Sequence, residues 1–64
     1  MKFNGQVLQL NKNISLLQYL QENKYDISKI AVELNGNIVP KAIYSDIMLQ
    51  EEDILEVVSF VGGG

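Results

Sequence analysis

The sequence predicts an α+β domain, a mixed sheet of about five strands with one α-helix packed across one face. Three observations lead there. Asn4-Gly5 and Asn35-Gly36 each stand between short apolar runs, and Asn-Gly is the strongest short-range hairpin signal because a type I′ turn needs positive φ at both central residues. One stretch, beginning at Ile14, has helical spacing behind a capping pair. From Ile54 onward an apolar strand alternates until it meets three glycines. For this order of elements the compact arrangement sets the first and last strands parallel in the middle, with the two hairpin partners outside.

Met1-Lys2-Phe3 reads as a short strand, and Gln6-Val7-Leu8-Gln9-Leu10 returns antiparallel to it across the Asn4-Gly5 turn. Alternation puts Leu8 and Leu10 on one face of that return, with Gln9 and a less buried Val7 on the other. Ser15 and Gln18 then have the spacing of a capping box, with Ile14 and Tyr19 in the staple positions. Leu16, Leu17, Tyr19 and Leu20 cover one broad helical face, opposite Gln18, Gln21 and Glu22. Leucines in that stripe belong to a core. The period is lost at Asn23-Lys24-Tyr25-Asp26, which ends the helix.

Ile30-Ala31-Val32-Glu33-Leu34 alternates as a strand, turns at Asn35-Gly36, and returns through Asn37-Ile38-Val39. Pro40 cannot donate to a ladder and marks an exit from the sheet. Lys41 to Gln50 shows no clean period and reads as an irregular crossover with one short helical turn. Gln50-Glu51-Glu52-Asp53 is a charged turn ahead of the final strand. In that strand Leu55, Val57, Ser59 and Val61 share one side, and Ile54, Glu56, Val58 and Phe60 the other. Burying an unpaired Glu56 is costly, so the Leu55/Val57 side is expected to meet the helix. Val58 and Phe60 are then left on the open face as a docking patch.

Composition narrows the functional classes. With 64 residues there is room for one domain with a small core. The chain has no cysteine, hence no disulfide, no thiolate metal site and no thiol nucleophile. It also has no histidine, the usual general base at neutral pH, which argues against an enzyme and for a partner or protein substrate. Eight acidic against five basic residues give a net charge of −3, which disfavours a nucleic-acid ligand and favours a basic protein surface. Glu51, Glu52, Asp53 and Glu56 are candidates for steering toward such a surface, although exposed charges of this kind more often form a solvated turn. No apolar run spans a bilayer and no secretory signal is evident, so a cytoplasmic location is expected.

The glycines set the functional question. Residues 1–61 are expected to form the domain, and Gly62-Gly63-Gly64 a flexible tail that ends in a glycyl carboxylate. Residues without Cβ pass in extended form through channels too narrow for any other side chain. Terminal glycine runs also occur as frayed ends or cloning scars, and on the tail alone both readings stand.

Taken together, the residues resemble the family of sulfur carrier proteins of thiamine biosynthesis (ThiS), which have a ubiquitin-like β-grasp fold. The resemblance covers the whole chain. It rests on Phe3-Asn4-Gly5, on Ser15 with the Leu16/Tyr19/Leu20 spacing, and on Asn35-Gly36-Asn37-Ile38-Val39-Pro40-Lys41. It is completed by Asp53-Ile54 leading to Phe60-Val61-Gly62-Gly63-Gly64. A diglycine C-terminus alone is shared with the small subunit of molybdopterin synthase and with ubiquitin-like modifiers, whereas the combination is more specific. Many relatives carry Arg at the position of Lys41, and lysine lacks the guanidinium fork for bidentate pairing.

The resemblance implies that a ThiF-like adenylyltransferase uses ATP and magnesium to convert the Gly64 carboxylate into an acyl adenylate. Sulfur from a persulfide-bearing enzyme then gives a thiocarboxylate, which thiazole synthase (ThiG) consumes. Gly62, Gly63 and Gly64 would thread the partner's channel, with Val58, Phe60 and Val61 as docking residues. This chain itself would bind no cofactor or metal. The alternatives are a carrier for molybdopterin synthesis, a β-grasp interaction module with an incidental tail, and a modifier conjugated to lysine.

Overall fold

The computed structural model describes residues 1–60. Its strands are β1 (Lys2–Phe3), β2 (Gln6–Val7), β3 (Ile30–Leu34), β4 (Asn37–Ile38) and β5 (Ile54–Ser59), with helix α1 (Leu16–Glu22) between the two hairpins. Two 3-10 helices, Ile27–Lys29 and Lys41–Asp46, occupy the connections into β3 and out of β4. The sheet has the order β2-β1-β5-β3-β4, with β1 and β5 parallel and every other neighbouring pair antiparallel. The first and last strands thus lie side by side, as the element order predicts.

Both hairpins turn where the Asn-Gly dipeptides require. Asn4 and Gly5 have φ of 48° and 86°, and Asn35 and Gly36 have 52° and 86°. These left-handed pairs match the twist of the flanking strands. Beyond the first turn the return strand is shorter than the alternation predicts. Only Gln6 and Val7 pair with β1, after which the Leu8 N–H donates to the Met1 carbonyl at 2.7 Å. Leu8 is exposed while Leu10 packs against the core, so the two do not share a buried face. The pairing ends at Met1 and Leu8, where the Met1 ammonium also donates to the Leu8 carbonyl at 2.8 Å, and beyond Leu8 the chain has no partner ladder to hold it to a two-residue alternation.

Helix α1 starts at Ser15, whose Oγ accepts from the Gln18 N–H at 3.1 Å. The reciprocal bond from the Gln18 side chain is absent among the described residues, so the capping box is half formed. Backbone bonds hold the cap instead: Leu16 N–H donates to the Ile47 carbonyl and Leu49 N–H to the Ile14 carbonyl, tying the helix start to the chain leaving the second 3-10 helix. At the other end Lys24 adopts φ of 66°, with Tyr25 N–H donating to the Leu20 carbonyl and Lys24 N–H to the Gln21 carbonyl. That is a Schellman stop, with lysine in the place that glycine usually takes.

Leu16 and Leu20 are fully buried beneath the helix, against Ile30 and Val32 of β3 and Leu55 and Val57 of β5. Phe3 packs edge-on against Tyr19 and Tyr25, at ring-centroid distances of 5.5 and 6.2 Å. The crossover is more ordered than its sequence suggests. Lys41–Asp46 forms a six-residue 3-10 helix and carries Tyr44, 2% exposed, into the core. Tyr44 is the one buried residue of these six, so no repeat marks it for either the helical or the strand template. No polar or charged residue is buried among the described residues.

Candidate functional site

Strand β5 divides as its alternation predicts. Leu55 and Val57 point into the core, while Ile54, Glu56 and Val58 face the uncovered side of the sheet, where Val58 is 63% exposed. The register fixes their neighbours: Val58 lies opposite Ala31, and Glu56 opposite Glu33, which in turn faces Ile38 on β4. Side chains directly opposite each other share a face. Val58, Ala31, Glu56, Glu33 and Ile38 therefore form one contiguous surface, with Asn4 at its border. Together they line a shallow depression of about 370 Å³.

Asn4 is held there by β5. Its Oδ1 accepts from the Val57 N–H at 2.8 Å, and its Nδ2 donates to the Val57 carbonyl at 3.3 Å. Asn35 works similarly at the start of the strand, accepting from the Ile54 N–H at 2.9 Å and donating to Asp53 Oδ1 at 2.9 Å. Both turn asparagines thus brace the strand that leads to the tail.

Phe60 sits just past the end of β5, 50% exposed. Its N–H donates to the Lys29 carbonyl at 2.9 Å, and Lys41 Nζ lies 5.9 Å from its ring centroid. This cation–π contact ties the 3-10 crossover to the last described residue. Of the predicted site residues, Val58 and Phe60 are both exposed, but the ring of Phe60 stands at Lys41 and does not line the depression with Val58. Val61, Gly62, Gly63 and Gly64 lie outside the described residues.

The acidic turn has internal duties. Glu51 Oε1 accepts from the Leu10 N–H at 3.0 Å, and Asp53 Oδ2 from the Gln50 N–H at 2.8 Å. These two carboxylates secure loops; of the other two predicted steering residues, Glu52 is exposed in the turn and Glu56 lies on the open face. Sequence reasoning missed Asn4, Ala31, Glu33 and Ile38 as members of this surface. Alternation within β3 placed Glu33 on a face, but its juxtaposition with Glu56 exists only once the β3–β5 register is known.

Perturbed ionisable groups lie away from the open face. Burial raises the Tyr44 phenol, and burial with the neighbouring Tyr25 raises that of Tyr19. Hydrogen bonds from Ser28 hold Asp26 below the usual carboxylate value. Among the described residues no cluster of three or more His, Cys, Asp or Glu is placed to hold a metal ion. No helix among them is long and apolar enough to cross a membrane. The arrangement is that of a presenting surface, with an exposed half-apolar face beside the strand that runs to the glycines.

The chain resembles known proteins along its whole length. A thiazole synthase of Paramagnetospirillum magneticum is 38% identical over 61 residues, covering 95% of this chain and 19% of that protein, so the chain spans about a fifth of that relative. The sulfur carrier protein ThiS of Bacillus subtilis is 33% identical over 69 residues, covering 100% of this chain and 98% of that one. The crystal structure of the thiamine biosynthesis protein ThiS from Geobacter metallireducens superposes with a TM-score of 0.81 over 98% of this chain and 96% of that one. At 21% identity this likeness establishes the fold, a β-grasp. The sequence model of the ThiS family matches residues 1–64, and the chain belongs to that family.

Proposed function

We propose that this protein is a sulfur carrier of thiamine biosynthesis, a protein co-substrate whose Gly64 carboxylate bears the sulfur. The observation that carries the reading is the family match over residues 1–64, which extends through the glycines. The relative named as a sulfur carrier, matched end to end, supports it. So does the sheet, which braces β5 from both neighbouring turns and leaves its outer face free.

A carboxylate is a poor electrophile. A ThiF-like adenylyltransferase attaches AMP from ATP to the Gly64 carboxylate, with release of pyrophosphate, and supplies the magnesium and catalytic side chains. The terminal sulfur of a persulfide then attacks the carbonyl and expels AMP, which leaves an acyl disulfide. A thiol takes up the outer sulfur as a new disulfide, and the thiocarboxylate is freed. Gly62 and Gly63 fit the narrow approach to such an active site because they have no Cβ. Phe60, Val58 and Val61 serve as docking residues at its mouth.

Thiazole synthase is the partner that consumes the sulfur. A relative of that name contains a stretch matching 95% of this chain, so the two sequences occur there in one polypeptide. The test is intact mass after incubation with ATP, magnesium, the adenylyltransferase, a persulfide donor and a thiol. The expected product is heavier by the difference between sulfur and oxygen. An unchanged mass would overturn the reading in favour of an interaction module, and fusion to another protein would indicate a modifier. Transfer to a molybdopterin precursor in place of thiazole would move the protein to that pathway.

A further inference from the structure

We propose that the open face recognises an arginine of thiazole synthase, seated between Glu33 and Glu56 with its aliphatic stem along Val58 and Ala31. The proposal rests on the carrier reading and specifies what the partner presents to this face.

Glu33 and Glu56 occupy directly opposed positions of the β3–β5 ladder. Opposed residues have Cβ atoms about 5 Å apart, and like charges there are destabilising. The sheet nonetheless sets the two glutamates at facing positions beside one depression, and neither takes part in an ion pair among the described residues, where the pairs are Met1–Glu51 and Lys12–Glu22. Lys2, outward-facing in the row of Ile54, makes no ion pair with either. A cation arriving from outside between them would gain a charge-assisted hydrogen bond to each.

The surroundings specify the kind of cation. Val58 and Ala31 form the adjoining cross-strand pair, Ile38 lies directly beside Glu33, and these residues wall the depression of about 370 Å³. Asn4, also on its wall, has its amide committed to the Val57 backbone, so the two carboxylates are the free polar handles. An arginine matches this pattern. Its planar fork presents parallel donors to two acceptors, and its stem buries against apolar neighbours. Lysine offers a single strongly hydrated point charge and no fork. The net charge of −3 favours approach of a basic surface to the whole domain.

The experiment measures the Kd of the full chain for thiazole synthase of the same organism, by calorimetry, with Glu33→Gln, Glu56→Gln, the double variant and Val58→Asp. Each single glutamine is expected to weaken binding roughly tenfold, since a charged hydrogen-bond partner is lost. Because both carboxylates hold one guanidinium, the double variant should lose less than the product of the two single effects. Its binding should also depend less on salt. An Arg→Lys scan of the thiazole synthase surface should find one variant that weakens the unaltered carrier equally and adds no further loss to the double variant.

Denaturation midpoints equal to or above that of the unaltered protein confirm that the glutamine variants fold. Unchanged affinity in the double variant, with binding abolished by Val58→Asp, would overturn the arginine and leave the carrier reading standing. Losses in the glutamine variants with no coupled arginine would also overturn it. So would a dependence on Glu33 and Glu56 confined to the adenylyltransferase. Failure of the unaltered chain to bind thiazole synthase would overturn the inference, and the mass experiment would show separately whether the carrier reading fails with it.

Discussion

Asn4 brackets the backbone of Val57 from across the sheet, its amide oxygen accepting at 2.8 Å and its amide nitrogen donating at 3.3 Å. The two residues are 53 positions apart in sequence. The side chain continues the β1–β5 ladder past the point where the β1 backbone turns away, while the same residue supplies the positive φ that the hairpin needs.

Replacing Asn4 should therefore cost stability twice over. Asn4→Ala loses the bonds to Val57 and forces a side chain into left-handed backbone, for an expected loss of about 2–3 kcal/mol. Asn4→Gly relieves the backbone and should lose less. Urea denaturation of the two variants separates the contributions. Equal losses would mean that the φ requirement contributes nothing.

Tyr44 and Phe60 should respond in opposite ways to truncation. Tyr44→Ala empties a fully enclosed site and should destabilise by about 3–5 kcal/mol, a large share of what a domain this small has. Phe60→Ala removes a half-exposed ring whose named contact is Lys41, and the cost should stay below about 1 kcal/mol. Binding to thiazole synthase should instead fall roughly tenfold, as for an aromatic anchor. Denaturation and calorimetry on the same samples check both halves.

Stability should fall at both ends of the pH scale for different reasons. Asp26 accepts from the Ser28 N–H and hydroxyl, which hold its carboxyl below 3.8. A depressed folded pKa contributes stability that is present above the unfolded value and lost as pH falls through the folded one. The phenols of Tyr44 and Tyr19 are raised above 10.0, chiefly by burial, so their contribution is full below that value and lost as pH rises through the folded one. Asp26→Asn should flatten the acid limb and Tyr44→Phe the alkaline limb, measured as denaturation midpoints against pH.

Deleting Gly64 should leave the fold intact, because the described core ends before it, and should abolish sulfur loading. Intact mass after the loading reaction, with denaturation as the folding control, checks this. A truncated chain that still gained sulfur would show that the reactive carbonyl lies elsewhere.

Much of the architecture could be read locally. The Asn-Gly pairs announced both turns because few residues tolerate consecutive positive φ. The leucine stripe of α1 and the alternation of β5 announced which sides would be buried, because side-chain direction follows backbone period. Other features needed the assembled fold. Tyr44 was hidden in a 3-10 stretch where it is the one buried residue, so no repeating pattern marked it. Gln9 and Leu10 carried on a strand-like pattern beyond Leu8, where the pairing with Met1 ends.

The sequence by itself determined the elements, their order and the outward direction of Val58, since each depends on residues within a few positions of one another. Only the tertiary structure decided that Glu33 stands against Glu56, that Asn4 holds Val57, and that the ring of Phe60 stands at Lys41 and not in the Val58 depression. Those relationships depend on strand register and on where a crossover returns. Both are settled by the simultaneous packing of distant segments around one core, which no local pattern encodes.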